Sequence, residues 1–216
     1  MGVADFLIYL SELLVESGKQ VTVVDHSPDK DIFALLPFQE KENTFTYHGV
    51  EYQRDLWKDG EKLDIASVYY AFDIVFLMVG TESEESLLEY PAEVWYVFLT
   101  ANRKGIEKTE QIFWEPDIPV FLFIRDFCDY KITASYIRGL WREARGNIAG
   151  WYEIPFDIID YEYLTRMQYE PVNEYKQLSK EMQEVLITVA SKLTGLTKKE
   201  EELIYKKLKR GKKRCR

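Results

Sequence analysis

Residues 2–31 read GVADFLIYLSELLVESGKQVTVVDHSPDKD, which predicts a loop, a helix, a turn and a buried strand in that order. Apolar residues between positions 6 and 15 recur close to the helical period, and Gly18 then supplies a helix stop. The β-branched run at 21–24 is typical of a strand that is buried on both faces of a parallel sheet. Asp25 follows at the carboxyl end of that strand, the edge at which open α/β sheets bind their ligands. The stretch therefore predicts an α/β protein with a candidate ligand edge beside Asp25.

Predicted strands and helices alternate along the rest of the chain, which indicates an α/β fold with a mainly parallel sheet and helices on both faces. Strands are predicted at 72–81, 94–100, 120–124 and 148–154. Helices are predicted at 104–114, 131–144 and 174–193, and Asp157 is predicted to cap a further helix that carries Tyr161, Leu164 and Met167. A hairpin is predicted at 44–52 around His48-Gly49, and a further turn at 58–60. The acidic segment 29–31 is predicted to cap the short helix that follows it.

Composition restricts the class of protein. The chain has 216 residues, enough for one α/β domain with a sizeable core, and 46% of them are hydrophobic, which excludes disorder for the body. No apolar run has the length of a membrane span, and no basic region precedes the first apolar helix as it would in a secretory signal. Cys128 and Cys215 have neither a CxxC spacing nor a neighbouring histidine. These features predict a cytoplasmic protein.

Charge is distributed unevenly between the body and the C-terminus. Residues 206–216 carry basic side chains and no acidic one; the bases are Lys206, Lys207, Lys209, Arg210, Lys212, Lys213, Arg214 and Arg216. Because this segment contributes +8 to a formal net charge of −9, the preceding 205 residues carry −17. Because the body is acidic, we do not expect it to bind nucleic acid, whereas the basic tail can contact an anionic partner. The predicted organisation is an α/β domain at 1–195 and a basic C-terminal helix and tail at 196–216.

Three short motifs resemble the MinD/ParA family of deviant Walker-type ATPases. Residues 18–25, GKQVTVVD, resemble the family strand that ends in an aspartate, and residues 2–7, GVADFL, resemble half of its phosphate-binding loop. Residues 154–157, IPFD, resemble the family's Ile-Pro-Tyr-Asp turn beside the base. The order of elements over 2–172 also follows the family, and the nearest subgroup by resemblance is the TadZ/CpaE group, which localises pilus-assembly machinery. The resemblance implies a P-loop NTPase topology of the MinD/ParA kind.

The resemblance also implies a nucleotide site whose side chains depart from the family's pattern. Asp5 stands in place of the phosphate-binding lysine and Phe6 in place of the magnesium-binding hydroxyl. A carboxylate repels a triphosphate, and a phenyl ring cannot ligate a metal. Ser27 and Met78 replace two family aspartates, and Arg125 replaces the base-reading asparagine. The implied vestigial site comprises Gly2, Asp5, Phe6, Asp25, Met78, Arg125 and Pro155.

These departures predict a pseudo-ATPase with no catalytic residue, no metal and no cofactor. In the resembled family a strand precedes the phosphate loop near the centre of the sheet, whereas here only Met1 precedes Gly2. We expect either that this strand lies upstream of the sequence or that another element takes its place. ATP and magnesium are expected only if upstream residues complete the site.

Three functional hypotheses remain open from the sequence. The first is a non-hydrolysing localisation or assembly scaffold that acts through protein–protein contacts, of the pilus, secretion or cell-pole type. The second is a nucleotide-binding ATPase of the same family whose loop is misaligned or truncated. The third is a receiver-like domain in which Asp25 is the phosphoacceptor. Partners expected under the first hypothesis are another protein or a second copy of the chain.

The tail and the aromatic residues bear on partners as well. The tail resembles the terminal amphipathic helix of MinD-type proteins in charge, which predicts a weak, salt-sensitive contact with anionic membrane and peripheral localisation. Aromatic residues make up 15% of the chain, and several lie late in it, which is compatible with a core or with a protein interface. The late group comprises Trp151, Tyr152, Tyr161, Tyr163 and Tyr169.

Overall fold

The computed structural model describes residues 3–36, 43–54, 57–58, 61–62, 65–80, 92–100, 102, 104, 106–107, 109, 117–128, 132–141, 147–170 and 175–195. The chain forms two compact units, the first made of residues 3–80 with those from 159 onward and the second of residues 81–158. Within these ranges no helix is long and apolar enough to cross a membrane.

The first unit is built around helix α1, Ala4–Glu16, which is buried on nearly every side. Every residue from Ala4 to Leu14 is buried, including the polar Ser11 and Glu12. The helix packs on the sheet and also against a C-terminal helix, Lys180–Thr194, here called α6. The sequence pattern predicts a helix with an apolar side; the structure encloses it because α6 covers what would otherwise be exposed.

Strand β1, Val21–Asp25, lies inside the sheet of this unit and is buried along its whole length. It pairs in parallel with β3, Val50–Gln53, on one side and with β6, Ile74–Met78, on the other. Antiparallel β2, Thr44–Tyr47, completes the order β2-β3-β1-β6. This arrangement confirms the predicted buried strand, because a β-branched run with both faces covered suits a central parallel strand. The short helix α2, Asp31–Leu35, follows β1 as predicted.

The β2–β3 hairpin confirms the turn predicted at His48-Gly49. Both residues have positive φ, 47° at His48 and 82° at Gly49, as a type I′ hairpin turn requires. His48 Nδ1 also lies 2.7 Å from Oε1 of the buried Glu12 on α1, a contact that the sequence does not predict because 36 positions separate the two residues. A Cβ at Gly49 would lie 2.9 Å from Cγ1 of Val15. The turn is therefore packed directly on α1.

Three smaller elements follow in the first unit. Strands β4, Trp57–Lys58, and β5, Glu61–Lys62, form an antiparallel pair, and the predicted turn at 58–60 lies partly outside the described residues. Helix α3, Ile65–Ala71, then leads into β6.

The C-terminal part contains helix α5, Ile158–Met167, a 3₁₀ turn, Tyr175–Gln177, and α6. The prediction of one continuous helix at 174–193 is wrong at its start. Ser179 is the N-cap of α6, and its hydroxyl accepts the Met182 N–H at 3.2 Å. The Ser179 backbone N–H and hydroxyl in turn donate to the Asp160 carboxylate, both at 2.6 Å. These bonds hold Ser179 outside the helix, so the helix begins after it.

The second unit is a parallel sheet in the order β7-β8-β9, with β7 at Trp95–Thr100, β8 at Pro119–Phe127 and β9 at Asn147–Pro155. Helix α4, Ala134–Trp141, packs on β8, and its Ile137 and Trp141 join Leu122 and Ile124 in one core cluster. Aromatic rings from all three strands pack against one another in stacked, tilted and edge-on pairs: Tyr96, Phe98, Phe121, Phe123 and Tyr152. Strand β7 and helix α4 lie within the predicted segments, whereas β8 and β9 extend beyond the predicted 120–124 and 148–154 at both ends. The described residues of 104–109 are helical.

The two sheets confirm the α/β fold with mainly parallel strands. Among the described residues, β6 is paired only with β1 and β7 only with β8. The prediction of a further strand from upstream residues is not tested by this pairing and stays a prediction. The segment 196–216, predicted to be a separate basic helix and tail, lies outside the described residues.

Candidate functional site

Asp25 ends β1 and organises the loop that follows it. Its side chain is 0% exposed. Oδ1 accepts hydrogen bonds from the Ser27 backbone N–H at 3.0 Å and from the Ser27 hydroxyl at 2.5 Å. Oδ2 accepts the Ile32 backbone N–H at 3.0 Å, in the first turn of α2. Both carboxylate oxygens therefore fold the β1–α2 loop, as an Asx-type turn followed by a helix cap.

The cap of α2 comes from Asp25, so the prediction that residues 29–31 supply it is wrong. Lys30 is the N-cap residue, has a left-handed backbone with φ 51°, and makes no side-chain capping bond. Its Nζ donates instead to the Asp25 carbonyl oxygen at 3.1 Å. The loop turns back so that the Asp25 carboxylate, and not a local side chain, lies in front of the Ile32 N–H.

Burial raises the pKa of the Asp25 carboxyl above its ordinary value of 3.8, since the charged form loses hydration. The hydrogen bonds from Ser27 and Ile32 and the positive charge of Lys30 act in the opposite direction. The folded loop therefore replaces part of the water that Asp25 gives up, but burial has the larger effect.

Asp5 and Phe6 lie in the first turn of α1, where the resemblance implies a lysine and a hydroxyl. Asp5 is 2% exposed, and its carboxylate belongs to the acidic first turn at the positive end of the helix dipole. Phe6 is 0% exposed and belongs to the hydrophobic core. A phenyl ring has no metal-ligating atom and a carboxylate repels phosphate, so these two side chains do not fit a magnesium–phosphate group.

Met78 is brought next to Asp25, as the resemblance implies. The two residues are register partners across β1 and β6, and Met78 is 6% exposed. The Met78 carbonyl accepts the His26 backbone N–H at 2.8 Å. A Cβ at Gly80 would lie 2.6 Å from Cδ of Pro28, so the segments that follow β1 and β6 are in direct contact. The carboxyl edge of this sheet is closed by backbone and proline contacts at this point.

Arg125 and Pro155 lie together in the second unit. Arg125, on β8, is 3% exposed, and Pro155 ends β9 opposite Phe127. The ladder shifts register between Arg125 and Phe127, and the intervening Asp126 has φ 57°. The Phe156 N–H then donates to the Phe127 carbonyl at 3.0 Å. The carboxyl ends of β8 and β9 therefore bring these two predicted positions close in the sheet.

The remaining predicted positions lie outside the described residues. They are Gly2 and the tail residues Lys206, Lys207, Lys209, Arg210, Lys212, Lys213 and Arg214. Their proposed roles stay predictions. In the part of the chain that the structure covers, no three His, Cys, Asp or Glu side chains converge as ligands of one metal ion would.

Ser27 has a role that sequence reasoning missed. The resemblance treats it as a lost aspartate, whereas the structure uses it as a double donor to Asp25. Part of this role has a sequence signal, because an aspartate side chain often accepts the backbone N–H two residues further on, as in an Asx turn.

No protein-family model matches the chain, and no curated protein matches it. Several solved structures are similar to the chain. The MinD cell division protein of Aquifex aeolicus is 10% identical with a TM-score of 0.60, over 90% of this chain and 92% of that one. A ParA family ATPase from Chlorobium tepidum TLS is 12% identical with a TM-score of 0.65, over 88% of this chain and 92% of that one.

A third similar structure is the MinC:MinD cell division protein complex of Aquifex aeolicus, 10% identical with a TM-score of 0.63, over 90% of this chain and 91% of that one. The chain has a MinD/ParA-like fold. Identities of this size establish the fold and nothing finer. Within the MinD/ParA-like fold, the edge formed by Asp25 and Met78 is a closed, hydrogen-bonded corner, and the first turn of α1 carries a buried acid and a core phenylalanine.

Proposed function

We propose that this chain is a MinD/ParA-like scaffold for localisation or assembly, which acts through protein–protein contacts and does not hydrolyse ATP. The observation that carries the proposal is the burial of Phe6. At 0% exposure in the first turn of α1, its ring fills core space where a hydroxyl would have to face a metal. A core aromatic there serves folding, since burying a phenylalanine side chain contributes about 1.5–3 kcal/mol.

Charge at the same turn supports the proposal. Asp5 is buried beside Phe6, so its carboxylate lies in a low-dielectric environment near the N-terminus of α1. That position would favour a bound phosphate if a base or only backbone stood there. A carboxylate already provides the negative charge that the helix dipole favours, and it opposes a second anion.

The surroundings of Asp25 also support the proposal. Both of its oxygens accept hydrogen bonds from its own loop, and its partner in register is Met78, which has no hard oxygen ligand for magnesium. A phosphoacceptor role for Asp25 is disfavoured for the same reason, because a side chain that is 0% exposed does not reach a phosphodonor.

The proposed class is of the pilus, secretion or cell-pole type, nearest to the TadZ/CpaE group. The partner is another protein or a second copy, and the localisation is cytoplasmic and peripheral to the membrane through the basic tail. No cofactor is required; ATP and magnesium enter only if residues upstream of the sequence complete the site. A solved structure with this fold, the Aquifex aeolicus MinC:MinD complex, is an assembly of two different proteins, which makes protein–protein contact a reasonable function for the fold.

A nucleotide-binding ATPase is the second candidate. Two observations favour it: an aspartate at the carboxyl end of β1 and the Ile-Pro-Phe-Asp turn at the end of β9, both as in the family. It requires lysine and hydroxyl groups from residues other than Asp5 and Phe6.

Phosphate release from magnesium–ATP separates the two candidates. We expect no release above background from the wild-type chain. The variants Asp25→Ala and Asp29→Ala form a matched pair, since both remove a carboxylate from the same loop but Asp29 is exposed. Steady release that Asp29→Ala keeps and Asp25→Ala loses would overturn the proposal. Calorimetric titration with ATP then reports whether nucleotide binds without turnover.

A further inference from the structure

Helix α5 begins with a cluster of exposed apolar side chains. Of its first four residues, Ile158 is 66% exposed, Ile159 is 45% exposed and Tyr161 is 55% exposed. Tyr163 and Met167, by contrast, are buried and belong to the inward side of the helix. Single exposed apolar residues are ordinary on a protein surface, whereas three of them grouped at one end of a helix indicate a contact surface.

The same end of α5 is acidic. Residues 156–165 carry three acids and no base, and all of them are described residues; the acids are Asp157, Asp160 and Glu162. Glu162 is exposed, and Arg166, one turn further along, pairs with Glu170 at 3.4 Å and is directed toward that acid. We call the exposed side chains of Ile158, Ile159, Tyr161 and Glu162 the α5 face. It combines apolar surface with negative charge.

The C-terminal tail, residues 203–216, has the complementary chemistry in its sequence. It carries eight bases and no acid, and it also contains the aliphatic residues Leu203, Ile204 and Leu208. Charge alone would attract such a segment to any part of an acidic body. The aliphatic side chains favour a surface that is apolar as well as acidic, because they gain free energy only where they leave water. The α5 face has both properties.

The tail starts from an element that lies beside α5. Helix α6 begins there, since the Ser179 backbone N–H and hydroxyl both donate to the Asp160 carboxylate at 2.6 Å. With 15 residues, α6 is about 22 Å long. It ends at Gly195, whose left-handed backbone with φ 64° lets the chain leave the helix axis. Residues 196–202 can span about 25 Å when extended, so Leu203 can return to the start of α6, next to α5.

We propose that residues 203–216 dock on the α5 face of their own chain. A short tether gives the tail an effective concentration of millimolar order at this face, which a second copy at micromolar concentration does not match. Docking buries the same aliphatic side chains that are expected to enter a bilayer, so a docked tail is withheld from the membrane. As a control of membrane attachment this inference rests on the proposed function, whereas the contact itself does not.

Paramagnetic broadening in the full chain tests the contact. Cys215 lies near the end of the tail, and Cys128→Ser removes the other, exposed thiol, so a nitroxide can be attached at Cys215 alone. We expect the oxidised label to cause a loss of amide signal at residues 158–162 and its reduction to restore that signal. Ile158→Ser with Tyr161→Ser should abolish most of the loss. Glu162→Lys, which alters one exposed charge, should do so as well.

Matched variants separate a specific contact from general attraction to an acidic body. Tyr69→Ser with Tyr70→Ser removes exposed aromatic surface from α3, and Glu93→Lys reverses an exposed acid just before β7. Both should keep the wild-type loss of signal, and an effect equal to that of the α5-face variants would overturn the proposal. Replacing Leu203, Ile204 and Leu208 together by Ser keeps the charge of the tail and should abolish the loss; an unchanged loss would mean that charge alone acts.

A mixing experiment separates the chain's own tail from that of a second copy. Isotopically enriched chain without a nitroxide is mixed with unenriched chain that carries one, and we expect no loss of signal in the enriched chain. A loss in the mixture would assign the tail to a second copy and would overturn the proposal, as would a single labelled chain without any loss at 158–162. Neither measurement involves nucleotide or a partner protein, so phosphate release can refute the proposed function while the docking stands, and the reverse.

Discussion

Asp25 shows at the residue scale how a motif position also serves the local fold. The side chain stands where the resemblance implies a site aspartate, yet both oxygens accept hydrogen bonds from Ser27 and Ile32. Burial raises its pKa, and the loop supplies donors that partly offset the lost hydration. A buried carboxylate with its donors in place is a folding element, and its removal has consequences for stability that can be measured against pH.

The variant Asp25→Asn should alter the pH dependence of stability. A carboxyl whose folded pKa is raised stabilises the fold fully below its unfolded pKa, about 3.9, and loses that contribution as pH rises through the folded value. The free energy of unfolding of wild type minus that of Asp25→Asn is therefore expected to be largest at acid pH and to fall toward neutrality. Urea unfolding of both chains across this range measures it.

Asp29→Asn is the control for this experiment, since Asp29 is an exposed carboxylate in the same loop. A difference for Asp25→Asn that grows as pH rises would contradict the raised pKa of Asp25, because it would mean that ionisation of Asp25 favours the fold.

The hairpin between β2 and β3 illustrates how a local element depends on its neighbour. The glycine of the two-residue turn predicts its position, and the positive φ of His48 and Gly49 agrees with that prediction. Besides its positive φ, Gly49 has a second reason to be glycine: a Cβ at this position would lie too close to Val15 of α1. The turn is thus both a reversal of the chain and a contact with the central helix.

Gly49→Ala should destabilise the chain more than Gly18→Ala does. Both glycines have positive φ, 82° and 90°, so both variants carry the left-handed penalty of about 1–2 kcal/mol. Only at Gly49 would the new Cβ meet another atom, Val15 Cγ1 at 2.9 Å, which adds about 1–3 kcal/mol of overpacking. Thermal or urea unfolding compares the two. In a Val15→Ala background the excess cost should shrink, and equal costs of the two glycine variants in wild type would show that the contact is relieved without strain.

At the scale of the whole molecule, the distribution of charge separates an acidic body from a basic terminus. Residues 206–216 carry +8 against −17 in the rest of the chain. Each basic residue near an anionic bilayer contributes about 1 kcal/mol, and salt screens the attraction. Leu203, Ile204 and Leu208 add aliphatic groups that can enter a bilayer but have no use on a phosphate backbone. These features are the reason to expect lipid ahead of nucleic acid.

Liposome flotation tests the role of the terminus. The full chain should float with vesicles that contain anionic lipid at low salt and should release at high salt, while a chain that ends at Glu202 should stay in the soluble fraction under both conditions. Neutral vesicles are the control for charge. Equal flotation of the two chains would remove the tail from membrane attachment, and equal retention of both at the bottom of the gradient would remove the membrane from the proposal.

The sequence by itself determined the α/β class, the central β1, the hairpin at His48-Gly49 and most element positions, because helical period, β-branched runs and turn residues act over short distances. Through the family resemblance it also predicts that Asp5 and Phe6 make the first turn of α1 unsuited to phosphate. None of these conclusions needed a contact between distant residues.

Only the tertiary structure decided which sides of the helices are buried and what Asp25 does. The Tyr9 hydroxyl donates to Met167 Sδ at 3.0 Å and the Tyr175 hydroxyl donates to Glu16 at 2.5 Å, contacts that join positions 158 and 159 residues apart. Such contacts enclose α1, and similar ones set Ser179 as the start of α6. A local pattern cannot encode them, because the free energy of burying a side chain depends on which distant element covers it.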